Sequence, residues 1–140
     1  MNQPFTITTD KSQIDVDYVH EYLSEQSFWA KGRDFDTVKK SIENALCFSI
    51  HHGKERQVGF ARVITDYSTF AYLSDVFIDE KYRGKGLSKM LLQNIMEHPD
   101  LSNIIRWMLL TKDAHGLYAK FGFTNTTISD WIMEIVQNEI

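Results

Sequence analysis

Cysteine is almost missing from this chain: Cys47 is the only one in 140 residues. No internal disulfide framework can form, and a zinc site built from cysteines is excluded. Proline occurs twice, at Pro4 and Pro99, and neither lies in a linker-like stretch. With no internal repeat and no low-complexity segment, the chain reads as one domain over residues 1–140. No apolar run is long enough to cross a bilayer. The longest, Leu46-Cys47-Phe48-Ser49-Ile50 and Trp107-Met108-Leu109-Leu110, are strand-sized. The start, Met1-Asn2-Gln3-Pro4-Phe5-Thr6, has neither a basic n-region nor an apolar h-region, so no secretory signal is visible. A cytoplasmic protein with no membrane partner is expected. Positive charge is not in excess: 15 Lys and Arg stand against 19 Asp and Glu, a net charge of -4. That balance argues against a nucleic-acid partner. What is present is ordinary globular usage, 43% hydrophobic and 24% charged, enough at this size to bury a core unaided.

The hydrophobic period divides the chain. Val16, Val19 and Leu23 recur at helical spacing within Ile14 to Ser24. Asp34 or Asp36 can cap a second helix, with Val38, Ile42, Ala45 and Leu46 on one face. Leu46 to His51, Gln57 to Ile64 and Phe70 to Ile78 then read as three strands. Their short links predict an antiparallel meander. A polar glycine-bearing loop, Asp79 to Gly86, leads into a helix from about Leu87 to Glu97, whose buried stripe is Leu87, Leu91 and Ile95. Ile104 to Leu110 is a further strand. Asp113 can cap a short helix holding Leu117 and Tyr118, with Gly122 as its stop signal. Trp131 to Val136 is expected to supply a last strand, and another could stand at the start. The order predicts a mixed α/β layer fold with a parallel crossover from Phe70 to Leu110.

The most informative stretch is Arg83-Gly84-Lys85-Gly86-Leu87-Ser88-Lys89, which leaves a strand and enters a helix. Glycines let the backbone turn and let a ligand approach the amides. The helix start offers free N–H groups and the positive end of a dipole, which favour phosphate. Lys81, Arg83, Lys85 and Lys89 add a basic cluster to an acidic chain. Neither the Walker A spacing nor the dinucleotide G-x-G-x-x-G pattern is met. The plainer reading is a capping turn with solvated lysines.

Arg83-Gly84-Lys85-Gly86-Leu87-Ser88 resembles the R/Q-x-x-G-x-G/A acyl-CoA motif of the GNAT superfamily of N-acetyltransferases. Ser88 replaces the usual Gly or Ala. A second block, Leu117-Tyr118-Ala119-Lys120-Phe121-Gly122-Phe123, resembles the family's later L-Y-x-K-x-G-F segment. The resemblance covers nearly the whole chain. It implies the GNAT fold, a mixed central sheet with a splayed parallel strand pair flanked by helices. It implies acetyl-CoA as donor, with its pantetheine arm along Val76, Phe77 and Ile78. The amides from Arg83 through Gly84, Lys85, Gly86, Leu87 and Ser88 to Lys89 would take the pyrophosphate. Thr111 stands about where the family often has a cofactor-contacting asparagine. Members of the family are often dimers.

Acetyl transfer to an amine needs a deprotonated acceptor, a donor for the oxyanion and an acid for the leaving thiolate. Tyr118 matches the family's tyrosine facing the thioester sulfur. It stays protonated at neutral pH, with an ordinary pKa of ~10. The alternative is a tyrosine packed on the sheet. Asp75, in the apolar strand Phe70 to Ile78, is the candidate base or amine-binding carboxylate, or else a salt-bridged aspartate. Strand alternation puts Ser74 and Val76 on the opposite side from it. His115, three residues before Tyr118, could act as base or orient the tyrosine, or be a polar first-turn residue. Asp66 and Tyr67 at a hairpin tip could line the acceptor site or form a plain turn. Trp29 could cover that site or anchor a loop. His51 and His52 point to opposite faces and cannot share a metal. Cys47 reads as core. The favoured function is direct acetyl transfer to an amine of a small molecule or peptide, and Asp66 and Asp75 suggest a cationic acceptor. A non-catalytic acyl-CoA-binding module and a plain interaction domain are the rivals.

Overall fold

The computed structural model describes residues 4–54 and 56–137. Five strands form one sheet in the order β1 (Phe5–Thr8), β2 (Leu46–His52), β3 (Arg56–Thr65), β4 (Phe70–Ile78) and β5 (Arg106–Leu109). The first four pair antiparallel, and β4 pairs with β5 in parallel. Four helices flank the sheet: α1 (Val16–Glu21), α2 (Phe35–Glu43), α3 (Leu87–Met96) and the short α4 (His115–Ala119). The expected meander, the start strand and the parallel crossover through α3 are all present.

Local signals account for several boundaries. Asp34 accepts from the Thr37 N–H at 2.8 Å and so starts α2. A single wider turn, Tyr22–Gln26, extends α1. Leu87, Leu91, Leu92 and Ile95 bury the inner stripe of α3. They pack on Phe48, Ile50, Val63 and Leu73 of the sheet. The opposite face carries a second core, in which Val19, Tyr22 and Leu23 meet Val38, Ile42, Cys47 and Phe77.

Three expectations fail. Residues 132–137 form no strand; only a 3-10 turn, Ser129–Trp131, precedes them. Propensity alone cannot make a strand without a paired neighbour. Asp113 does not cap α4. The Thr111 hydroxyl accepts the Ala114 N–H at 3.0 Å instead. Ser74 and Asp75 do not point to opposite faces, because β4 carries a bulge. Phe60 pairs with Phe77 and Arg62 with Ser74, so two residues of β4 oppose Ala61 alone. Asp75 sits there at φ 53, in the left-handed region that aspartate tolerates better than most residues.

Among the described residues, no helix is long and apolar enough to cross a membrane.

Candidate active site

The bulge positions the site. Upstream of it β4 holds β5 in register, Phe70 with Arg106 through Leu73 with Leu109. The pairing ends at Leu73, two residues before Asp75. A bulge bends its strand and sharpens the local twist. β5 ends at Leu109, so Val76, Phe77 and Ile78 of β4 have no β5 partner beside them. The end of the β4–β5 pairing thus lies beside the bulge at Asp75. The bulge also inverts the alternation. Ala71 and Leu73 face the α3 core, and so do Val76 and Ile78, while Phe77 faces α1.

At one end of the split lies the glycine loop. Gly84 and Gly86 have φ 80 and 78, and a Cβ built on either meets nothing within 4 Å. Both conformations are ones that other residues rarely adopt. Gly86 is the N-cap of α3, and no side chain caps that N-terminus. Its first amides are left for a ligand. The loop borders an open hollow of about 220 Å³, lined by Ile78, Gly84, Gly86, Leu87, Ser88 and Lys89 among others. Lys85 and Lys89 are exposed beside it. Arg83 turns back instead: its Nη2 donates to the Tyr22 hydroxyl at 2.8 Å and its Nε to the Ile78 carbonyl at 3.3 Å. Tyr22 in turn stacks on Phe77, with ring centroids 3.8 Å apart. Arg83 thus ties the loop to α1 and β4, and the backbone faces the hollow. These features fit a diphosphate.

At the other end, the bulge carboxylate is fully engaged. Asp75 is buried; its Oδ2 accepts from Arg62 Nε at 3.0 Å and pairs with Arg62 Nη2 at 2.9 Å. Arg33 Nη1 lies 3.3 Å from the same oxygen, and Trp29 Nε1 donates to Oδ1 at 2.9 Å. Arg62 also donates to the Ser74 hydroxyl at 3.3 Å. Of the two readings of Asp75, the structure shows the salt-bridged aspartate. Both oxygens are bonded, so it organises two arginines and is not a free base. Trp29 anchors its loop through the same carboxylate. Next to it, Phe28 is exposed and lies under Lys112 Nζ at 5.2 Å, which brings the loop after α1 to the loop after β5. Arg33, Arg62, Phe28 and Lys112 were missed from sequence. An arginine in the middle of the apolar stretch Gln57 to Ile64 was the one available signal.

Tyr118 is half-buried against the α3 core and makes an edge contact with Phe123, centroids 6.0 Å apart. Burial pushes its hydroxyl above the ordinary tyrosine range, which keeps it protonated. His115 opens α4 and is exposed, with no hydrogen bond to Tyr118. Asp66 is a turn residue: its carboxylate takes the N–H groups of Ser68, Thr69 and Phe70 and the Thr69 hydroxyl. Those donors hold its pKa far below the usual carboxylate range. The charge of Asp75 is met by two arginines, whereas exposed Asp66 is bound only by neutral donors of its own turn. Cys47 is fully buried, and burial pushes its thiol up to about 11, the state of an inert core cysteine. Among the described residues no cluster of His, Cys, Asp and Glu could hold a metal ion.

Residues 43–125 match the family described as the acetyltransferase (GNAT) domain. A Gibberella zeae protein named as an acetyltransferase by assignment, FG08082, is 28% identical over 135 residues, covering 83% of this chain and 76% of that protein. A Xanthomonas campestris crystal structure, likewise assigned to the GNAT acetyltransferases, is 43% identical with a TM-score of 0.92. The match spans 98% of this chain and 96% of that one. Rv2747 from Mycobacterium tuberculosis, solved in complex with CoA, shares the fold at a TM-score of 0.70 and 15% identity over 86% of this chain and 72% of that one.

Proposed function

Because this chain belongs to the GNAT family, and so is an acyl-CoA-dependent N-acetyltransferase, we propose that it transfers acetyl from acetyl-CoA directly to an amine of a small molecule or peptide. In this reading residues 1–140 are one such domain. The observation that supports it is the end of the β4–β5 pairing at Leu73, just before the bulge at Asp75, together with an open glycine loop at the start of α3.

The glycine loop and the uncapped start of α3 bind the diphosphate through backbone N–H groups from Arg83 to Lys89, with Lys85 and Lys89 adding positive charge. Val76, Phe77 and Ile78, which lie past the last β4–β5 pair, flank the pantetheine arm. When bound, acetyl-CoA supplies the acyl group as an activated thioester. A backbone N–H at the Asp75–Val76 bulge stabilises negative charge developing on the carbonyl oxygen. Tyr118, kept protonated by burial, donates its proton to the departing thiolate. Asp75 is a positioning residue, since it fixes Arg62, Arg33 and Trp29 around the bulge. His115 has no role in this scheme.

Calorimetry with acetyl-CoA tests the cofactor half, and micromolar or tighter binding is expected. A thiol-release assay over a panel of small amines and peptide N-termini tests the chemistry. Binding without turnover on any amine would favour the non-catalytic module, and no binding would overturn both.

A further inference from the structure

The first helix reaches the glycine loop with two side chains. Tyr18 of α1 and Tyr22, one helical turn on, share a face. The Tyr18 hydroxyl donates to Asp79 Oδ2 at 3.1 Å, where the chain leaves β4. The Tyr22 hydroxyl accepts from Arg83 Nη2 at 2.8 Å, where the chain enters the loop. Both rings meet Phe77, Tyr18 tilted with centroids 5.9 Å apart and Tyr22 stacked at 3.8 Å with 6° between planes. Tyr22 therefore touches both the strand and the loop of the cofactor surface, while Arg83 and not Tyr22 lines the hollow.

Two features set this contact apart from ordinary packing. The first is backbone geometry. Tyr22 opens the wide turn Tyr22–Gln26, in which its carbonyl accepts from the Ser27 N–H at 3.0 Å. Such π turns are rare and gather at functional sites. The second is charge. Arg83 is held by two neutral acceptors, the Tyr22 hydroxyl and the Ile78 carbonyl. Among the described residues no carboxylate lies within ion-pair distance of it. At the bulge, by contrast, Arg62 and Arg33 share the Asp75 carboxylate. The charge of Arg83 is thus fixed in place without being cancelled, beside a hollow suited to a polyanion.

We propose that Tyr22 is a positioning residue for the cofactor: its hydroxyl keeps Arg83 folded against α1, so that the loop presents its backbone N–H groups to the diphosphate with an uncancelled positive charge behind them. Tyr22 acts through Arg83 and touches no reacting atom. This role rests on the acyl-CoA reading of the glycine loop. A phenylalanine at the same place keeps the stack on Phe77 and loses only the tether. The loop amides are then no longer held in one arrangement before the ligand arrives, and ordering them is charged to binding. The chemical step is untouched, so the loss belongs in KM and not in kcat.

Tyr22→Phe and Arg83→Gln, singly and together, test this against the natural chain. The readouts are calorimetry with acetyl-CoA, the urea midpoint, and initial rates with the amine that the panel turns over fastest. Tyr22→Phe should raise the Kd and KM for acetyl-CoA about tenfold, the scale of a hydrogen bond to a charged group, with kcat within about twofold of the natural value. In the Arg83→Gln background the same change should alter the Kd by less than about twofold. Packing alone predicts otherwise: a lowered urea midpoint and an equal loss of affinity in both backgrounds. Unchanged or tighter binding by Tyr22→Phe, an equal loss in both backgrounds, or a fall in kcat at constant KM would each overturn the proposal and leave the acyl-CoA reading standing. Arg83→Gln removes the same tether from an exposed position, so it decides the matter if Tyr22→Phe does not fold, and an unchanged Kd there also overturns the proposal. No binding of acetyl-CoA by the natural chain would overturn the acyl-CoA reading and the role of Tyr22 together.

Discussion

At the glycine-loop end of the cleft, the groups that face a ligand belong to the backbone, and no side chain caps them. At the bulge end, the charged side chains are bonded to one another. Gly84 and Gly86 leave a cradle that a Cβ would enter unopposed, whereas Asp75 is buried under two arginines and a tryptophan. One end is ready to bind because it is unsatisfied. The other holds its shape because it is satisfied. Binding strength and structural integrity should therefore respond to different substitutions.

The hardest test of this contrast is Asp75→Ala. It removes the carboxylate that the largely buried Arg62 and Arg33 share and should cost about 3 kcal/mol or more, read as a lowered urea midpoint. A loss under about 1 kcal/mol would mean the bulge end is not held by charge. Tyr118→Phe should lower kcat about 100-fold, the usual scale of general-acid catalysis, with the KM for acetyl-CoA nearly unchanged. Full turnover would remove Tyr118 as the acid. Gly86→Val should weaken acetyl-CoA at least tenfold, about 1.4 kcal/mol, by calorimetry under conditions where the variant is folded. It forces a β-branched residue to positive φ and fills the cradle. Asp75→Gly sharpens the comparison, because it removes the same carboxylate but relieves φ 53. It should be about 1 kcal/mol more stable than Asp75→Ala. The smallest effect belongs to Asp66. Its pKa is depressed in the folded chain, so its contribution is present above the unfolded value of ~3.9 and fades as pH falls below it. The stability gap between the natural chain and Asp66→Ala should narrow on acidification below about pH 4.

The two ends also differed in how legible they were. The loop is contiguous, so the strand-to-helix junction with its paired glycines among lysines could be read directly as a turn at the start of α3. The frame was equally local. β4 runs from Phe70 to Ile78 as its β-branched and aromatic run suggests, and Asp34 caps α2 as its position suggests. The bulge end is assembled from Trp29, Arg33, Arg62 and Asp75, which no periodicity links. Its key event, one extra residue in β4, is invisible to a strict period of two. Asp75 was noticed for the right reason, a carboxylate in an apolar strand, but its partners came from elements far away in sequence. The 131–136 segment was misread in a related way. Its composition is that of a strand, yet strand structure depends on a paired neighbour, and here the segment pairs with none.

Cys47 sits at zero exposure near the start of β2, with its thiol directed to the Ile42 and Ala45 carbonyls. As the sole sulfhydryl of the chain, it is silent to thiol reagents for as long as α2 stays docked on the sheet. Free CoA released in turnover can then be counted without background from the folded protein. On a longer timescale, the slow appearance of labelled Cys47 becomes a clock for the rare opening of this core. Comparing that clock with and without acetyl-CoA would measure how much ligand at the distant glycine loop steadies the opposite face of the sheet.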